Sequence, residues 1–214
     1  MLLGQLREIV WKCNLDLPKN DLVKMTSGNV SGRDHETNLV VIKPSGMSYE
    51  EMTPAHMVVV DLEGHVVEGD LKPSTDTDAH LYVYRQRDDI FGVVHTHSPY
   101  ATSFAVLGKP IKACLTASAM LGGDIPIGGY APIGGDAIGA EIIDSIGGSF
   151  AILMQNHGVF TIGHSPQHAT KLAVEVEEIA KIAHLAMSKG DPILLTPDQV
   201  NHMVNLYKHE YGQK

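Results

Sequence analysis

The chain has 214 residues, 43% of them hydrophobic, with 25 acidic against 16 basic side chains and a formal net charge of −9. That length suits one domain, residues 1–214, with a full hydrophobic core. The acidic balance and the lack of any Lys/Arg block argue against general nucleic-acid binding and a polybasic membrane patch, and no apolar run reaches the length of a membrane span.

The first residues, Met1-Leu2-Leu3-Gly4-Gln5-Leu6-Arg7, have no cationic stretch ahead of a long apolar core, so no secretory signal is expected. Cys13 and Cys114 make no disulfide framework. A cytoplasmic setting is expected, with each cysteine acting as a small packed apolar residue.

In chain order, Leu2, Leu6, Ile9, Val10 and Cys13 share a helical face, with Pro18 shortly beyond. A short strand is expected around Leu22-Val23, and further strands at Leu39-Val40-Val41-Ile42 and Met57-Val58-Val59-Val60-Asp61. Glu63-Gly64 turns the last of these into His65-Val66-Val67 as a hairpin. Thr77 to Arg87 reads as a short helix, and Ile90-Phe91-Gly92-Val93-Val94 as a buried strand. A helix follows from Tyr100 to Leu107. The Gly/Pro-rich stretch from Gly122 to Gly148 holds a short helix around Ala137 to Ile146. Two apolar runs, Phe150 to Met154 and Val159 to Ile162, flank Asn156-His157-Gly158. The clearest helix comes next. Ser165 caps it, Pro166 fits its first turn, Gly190 lies past its end, and Ala169, Leu172, Ala173, Val176, Ile179, Ala180 and Ala183 form its stripe. Hairpins and helices are mixed, so a mixed or largely antiparallel sheet with helices packed on it is expected.

His95-Thr96-His97 closes the buried strand. Residues two apart on a strand point to one face, so two imidazoles leave the sheet side by side, and neutral imidazole is a good ligand for zinc and similar ions. With 12 histidines in the chain, the pair alone does not define a metal site. His157 strengthens it, because Asn and Gly on either side let the backbone bend or bulge where a buried core histidine would need neither. Asp76 precedes a helix, where Asp is ordinarily an N-cap or first-turn carboxylate.

Three further segments offer small residues, hydroxyls and free backbone N–H groups. They are Thr26-Ser27-Gly28-Asn29-Val30-Ser31, Lys43-Pro44-Ser45-Gly46, and Ser74-Thr75 ahead of Asp76. Singly each is ordinary turn chemistry. Together they suit an anion, with glycines allowing close approach, a helix start presenting N–H donors, and Lys43 adding charge. No GxxxxGK[ST] loop is present, so a nucleoside triphosphate is not indicated.

These motifs, in this order and spacing, resemble the zinc-dependent class II sugar-phosphate aldolases and their relative L-ribulose-5-phosphate 4-epimerase. The resemblance runs nearly end to end. It implies a three-layer α/β/α fold with a largely antiparallel central sheet, a homotetramer with active sites at subunit interfaces, and a phosphorylated ketose as substrate. It implies His95, His97 and His157 as ligands of zinc, or of another divalent metal such as manganese, with Asp76 as a carboxylate on or near the metal. Gly28, Asn29, Lys43, Ser45, Gly46, Ser74 and Thr75 would line the phosphate and substrate pocket.

Within the resemblance, Asp at position 76, where fuculose-phosphate-type aldolases usually carry Glu, points to the epimerase. So does the tail Tyr211-Gly212-Gln213, which is similar to the epimerase tail whose tyrosine serves as an acid/base residue for a neighbouring subunit. Asp76 and Tyr211 are therefore the catalytic candidates. One departure weighs the other way. Ala119 or Met120 stands where the epimerase has a second acid/base aspartate, and Asp124 is displaced from it. An aldolase of the L-fuculose-1-phosphate type, giving dihydroxyacetone phosphate and an aldehyde, is the alternative. The adducin head domain, an interaction module without the metal site, is a third and remoter one.

Overall fold

In the computed structural model, which describes residues 1–209, the first helix, α1, covers Gly4–Lys19. It reaches the core through Val10, Cys13 and Leu17, with Asn14 buried among them. The Asn14 amide donates to Val10 O (2.9 Å) and Val30 O (3.2 Å), and its oxygen accepts from Val30 N (3.0 Å), so one buried side chain ties the helix to the sheet with its polar atoms paired. Pro18 lies inside the last turn, one or two residues earlier than a helix end is expected to leave it.

The expected strand at Leu22-Val23 is replaced by turn and coil, although both side chains are buried. Asp21 at φ 55° reverses the chain, and Leu22 N returns to Leu17 O at 3.0 Å. Two adjacent apolar residues buried from a helix-terminating loop imitate a short strand in sequence. The strand comes later, as β1 (Asn29–Arg33), whose five residues are all buried.

The remaining elements follow the expected order. They are β2 (Val40–Ile42), β3 (Val58–Val60), β4 (Val66–Glu68), α2 (Thr77–Gln86), β5 (Gly92–Thr96), α3 (Pro99–Val106), β6 (Ile127–Gly128), α4 (Ala137–Ile146), β7 (Ala151–Met154), β8 (Gly158–Gly163), α5 (Pro166–Met187) and α6 (Pro197–His209). The two-residue β6 and the whole of α6 have no counterpart in the sequence reading, nor does a 3-10 segment at Thr116–Leu121.

The strands form one sheet in the order β4-β3-β2-β1-β5-β8-β7-β6. Every pairing is antiparallel except β6 with β7. Alternation along each strand sorts residues to the two faces. Val40, Ile42, Val58, Val60 and Phe160 meet Ala79, Val83 and Tyr84 of α2 and Ile138 and Ile142 of α4. Val41, Val59 and Val94 meet α1 and the start of α5, while Ala151, Leu153 and Val159 meet α3 and the rest of α5. The result is the expected α/β/α sandwich with a largely antiparallel centre. Among the described residues, no helix is long and apolar enough to cross a membrane.

Candidate metal centre and anion cradle

β5 lies between β1 and β8, with His95 opposite Asn29 on one side and opposite Phe160 on the other. The β7–β8 hairpin turns through Gln155, Asn156 and His157. Asn156 takes φ 57°, a conformation asparagine tolerates better than most side chains. Gly158 then passes against β5. A Cβ there would collide with Thr96 O and stand 2.8 Å from the His97 ring and 3.2 Å from the His95 ring. Only a glycine lets the hairpin come close enough to bring His157 over the other two.

The three rings converge. Their centroids are 4.7 Å apart for His95–His97, 4.7 Å for His95–His157 and 5.4 Å for His97–His157. One nitrogen of each can be chosen so that all lie within 4.8 Å of one another, and among the described residues this is the one such group of His, Cys, Asp or Glu. His95 Nδ1 lies 3.0 Å from Val159 O. A carbonyl only accepts, so Nδ1 carries the proton and His95 Nε2 is left as a lone pair. That lone pair sits 2.9 Å from His97 Nε2, close to the roughly 3.3 Å that separates nitrogens around a tetrahedral zinc. His157 Nδ1 is buried with no hydrogen-bond partner among the described residues.

Burial pushes the His95 imidazole down to about 3, against the pull of Asp76 and with His97 and His157 adding to the depression. Burial also lowers His97 and His157, again opposed by Asp76. The cluster is therefore neutral at physiological pH, the protonation state that ligates metal. A donor set of three neutral imidazoles, each with a nitrogen within 4.8 Å of the others, fits a divalent cation.

Asp76 occupies the N-cap position of α2, yet its carboxylate makes no capping hydrogen bond. It accepts instead from Asn29 Nδ2 at 2.6 Å. Burial works to raise this carboxyl, but His95, His80, the Asn29 hydrogen bond and His157 outweigh it, and Asp76 is held below the usual carboxylate range. It lines the same cavity as the three rings but is not a member of the tight nitrogen group.

That cavity has a volume of about 300 Å³. Gly28, Asn29, Lys43, Ser45, Gly46, Ser74 and Thr75, the residues expected to hold an anion, all line it beside Asp76 and the histidines. Thr26, Ser27 and Ile133 complete the wall. Two loops are fastened together here, since Ser45 N donates to Lys72 O (2.9 Å) and Ser74 N to Lys43 O (3.0 Å). Lys43 is almost wholly buried. Its ammonium donates to Thr26 O (3.0 Å) and lies 5.0 Å from the centre of the Tyr49 ring. Burial lowers its pKa to about 8, with Asp76 pulling the other way, so it remains a cation at neutral pH.

Sequence reasoning missed two features. Ile133 lies in the Gly-rich stretch, where no periodicity marks it. Behind the site, His80 is fully buried, with Nδ1 2.7 Å from Ser31 Oγ, which in turn is 2.8 Å from Tyr84 OH. Periodicity would have put His80 on the buried stripe of α2, but not against a serine of β1. Asp124, the displaced candidate, accepts from Lys112 Nζ and Ala113 N, both at 2.8 Å, and does not line the cavity. Tyr211 lies outside the described residues.

Solved structures show the same architecture. An L-fuculose 1-phosphate aldolase from Glaciozyma antarctica PI12 covers 97% of this chain and 83% of its own, with TM-score 0.84 and 22% identity, a likeness of fold alone. YgbL from Klebsiella pneumoniae gives TM-score 0.84 at 27% identity, covering 95% of this chain and 99% of its own. Another protein described as L-fuculose 1-phosphate aldolase gives TM-score 0.93 at 34% identity, covering 97% of this chain and 98% of its own. Residues 8–184 match the family described as Class II Aldolase and Adducin N-terminal domain, and the chain belongs to that family.

Proposed function

We propose that this chain cleaves a phosphorylated ketose by a retro-aldol reaction, and runs the reverse condensation, with zinc or another divalent metal such as manganese held by His95, His97 and His157. The observation that carries this reading is the meeting, in one cavity, of three neutral imidazoles with a cradle of hydroxyls and backbone N–H groups. The bound ion supplies Lewis-acid stabilisation for the negative charge that develops on the ketose fragment.

The chain's own groups do the rest. The loops around Gly28, Ser45, Gly46, Ser74 and Thr75 anchor the phosphate through hydroxyls and backbone N–H groups, and buried Lys43 adds a positive charge that offsets Asp76. As the carbon–carbon bond breaks, its electron pair passes to the ketose fragment, which takes up a proton at carbon. The hydroxyl on the departing carbon loses its proton and becomes the aldehyde carbonyl. Asp76, ionised and fixed by Asn29, acts as the base that takes the proton from the ketose carbon in the condensation direction, and the protonated carboxyl returns that proton to carbon in cleavage. Tyr211, supplied by a neighbouring copy in a homotetramer, handles the aldehyde side; that role rests on the family resemblance.

Product identification on the metal-loaded enzyme tests this. L-Fuculose 1-phosphate or a related ketose 1-phosphate should give dihydroxyacetone phosphate and a free aldehyde. Absence of turnover on a panel of ketose phosphates, with no bound metal by elemental analysis, would favour the adducin-like binding module. A second reading, L-ribulose-5-phosphate 4-epimerase, is favoured by aspartate at position 76; it predicts D-xylulose 5-phosphate from L-ribulose 5-phosphate without release of fragments. Under either reading Tyr211→Phe should lower kcat by roughly 10²-fold with metal content unchanged, because only a phenolic proton is removed. An unaltered kcat would remove Tyr211 from the chemistry.

A further inference from the structure

A second cavity, about 450 Å³, lies at the far end of β8, between the start of α5 and the face of α6. β8 has six residues, so its two ends are about 17 Å apart at ~3.4 Å per residue. Phe150, Leu172 and Val204 give this cavity apolar walls, while His164, His168, Lys171 and Asn201 give it polar ones. No Asp or Glu lines it among the described residues.

Hydrogen bonding fixes what each polar group can offer. His168 Nδ1 accepts from His164 N at 3.3 Å, so in the neutral ring the proton is on Nε2, a donor. His164 Nδ1 lies 3.0 Å from Asp89 O, an acceptor, so that ring's proton is on Nδ1. The two rings are parallel within 11° and both stand edge-on to Phe150. Lys171 has neither an ion pair nor a hydrogen bond from its ammonium among the described residues. A lysine side chain, a fixed N–H donor and a carboxamide therefore face an apolar wall, in a cavity within the size range of small-molecule sites.

The geometry points to a ligand site for a small organic monocarboxylate with an apolar body, its carboxylate on Lys171 and His168 Nε2–H and its body against Phe150 and Val204. A lining with one lysine and no arginine matches a monoanion better than a phosphate dianion. Burial, with His164 and Lys171 nearby, lowers the His168 pKa and keeps that ring neutral, which has the same consequence.

Calorimetric titration of the full-length, metal-loaded protein with benzoate tests this. Saturable binding is expected, weakened about tenfold or more by Lys171→Met, by Val204→Trp, which fills the cavity without changing charge, and by replacing benzoate with benzamide. His97→Ala should leave benzoate affinity unaltered, which separates this cavity from the metal centre. The inference is overturned by no saturation up to about 10 mM benzoate, by equal affinity in Lys171→Met, or by loss of binding in His97→Ala.

Discussion

Histidine groups stand at both ends of β8, and the two groups differ in where their ring protons lie. At the Gly158 end, His95 is committed through Nδ1 to a strand carbonyl, so its remaining nitrogen is a lone pair aimed at two other imidazoles. At the Gly163 end, His168 accepts a backbone N–H and is left with a donor, beside a lysine that has no ion pair among the described residues. The same side chain thus suits a cation in one place and an anion in the other. The backbone atoms around each ring make the choice, so a count of histidines says little about metal binding.

The sharpest way to break the comparison is His97→Ala. Loss of one nitrogen from three should abolish stoichiometric metal by elemental analysis and lower kcat/KM roughly 10³-fold or more, while His164→Ala retains full metal content. Equal metal in both variants would erase the distinction.

Acid should sharpen it next. His80 is pushed down to about 4 by burial, against the pull of Asp76. The unfolded chain, with histidine near ~6.5, binds more protons than the folded one between those values. Stability should therefore fall as pH drops from about 6.5 towards 4, by on the order of 3 kcal/mol from this group, and His95 contributes with the same sign. Urea unfolding at pH 7 and pH 4.5 measures the loss, and His80→Gln should reduce it. An unchanged midpoint across that range would show that these rings are not held neutral.

Two smaller changes act on the backbone at either end of β8. Gly158→Ala forces a methyl onto Thr96 O and the two rings, and should destabilise by about 1–3 kcal/mol and weaken metal affinity. Ser165→Ala removes the α5 cap, in which Ser165 Oγ accepts from His168 N at 3.1 Å. It should destabilise by about 1 kcal/mol with metal affinity intact. Thermal melts with and without added zinc distinguish the two, and equal effects on metal affinity would contradict the separation of the ends.

The three-histidine cluster was legible because strand periodicity alone puts His95 and His97 on one face, and because Asn156 and Gly158 mark a bend around His157. Asp76 was ambiguous in sequence, since an N-cap and a site carboxylate occupy the same kind of position. Only the Asn29 hydrogen bond decides that the carboxylate turns away from its own helix. β1 was missed because the apolar pair Leu22-Val23 looked more strand-like than Asn29-Val30-Ser31-Gly32-Arg33, whose polar members are buried by partners distant in sequence. α6 carried a readable signal in Thr196 and Gln199, which cap each other reciprocally, Thr196 N to Gln199 Oε1 at 2.8 Å and Gln199 N to Thr196 Oγ1 at 3.3 Å. Its polar, Asn- and His-bearing sequence concealed the apolar residues that close the second cavity.

The pairing of β1 with β5 sets Asn29 across from His95, and Asp76 hangs from Asn29. Sliding β1 by a single residue would send Asn29 to the opposite side of the sheet and put Val30 in its stead. Neither the histidine cluster around His95 nor the Asn29–Asp76 side of the cradle can then be retuned alone, since both depend on one alignment of two strands. Divergence in what this scaffold accepts is left to the parts that do not share that alignment, foremost the exposed loop that holds Ile133 at the cavity's rim.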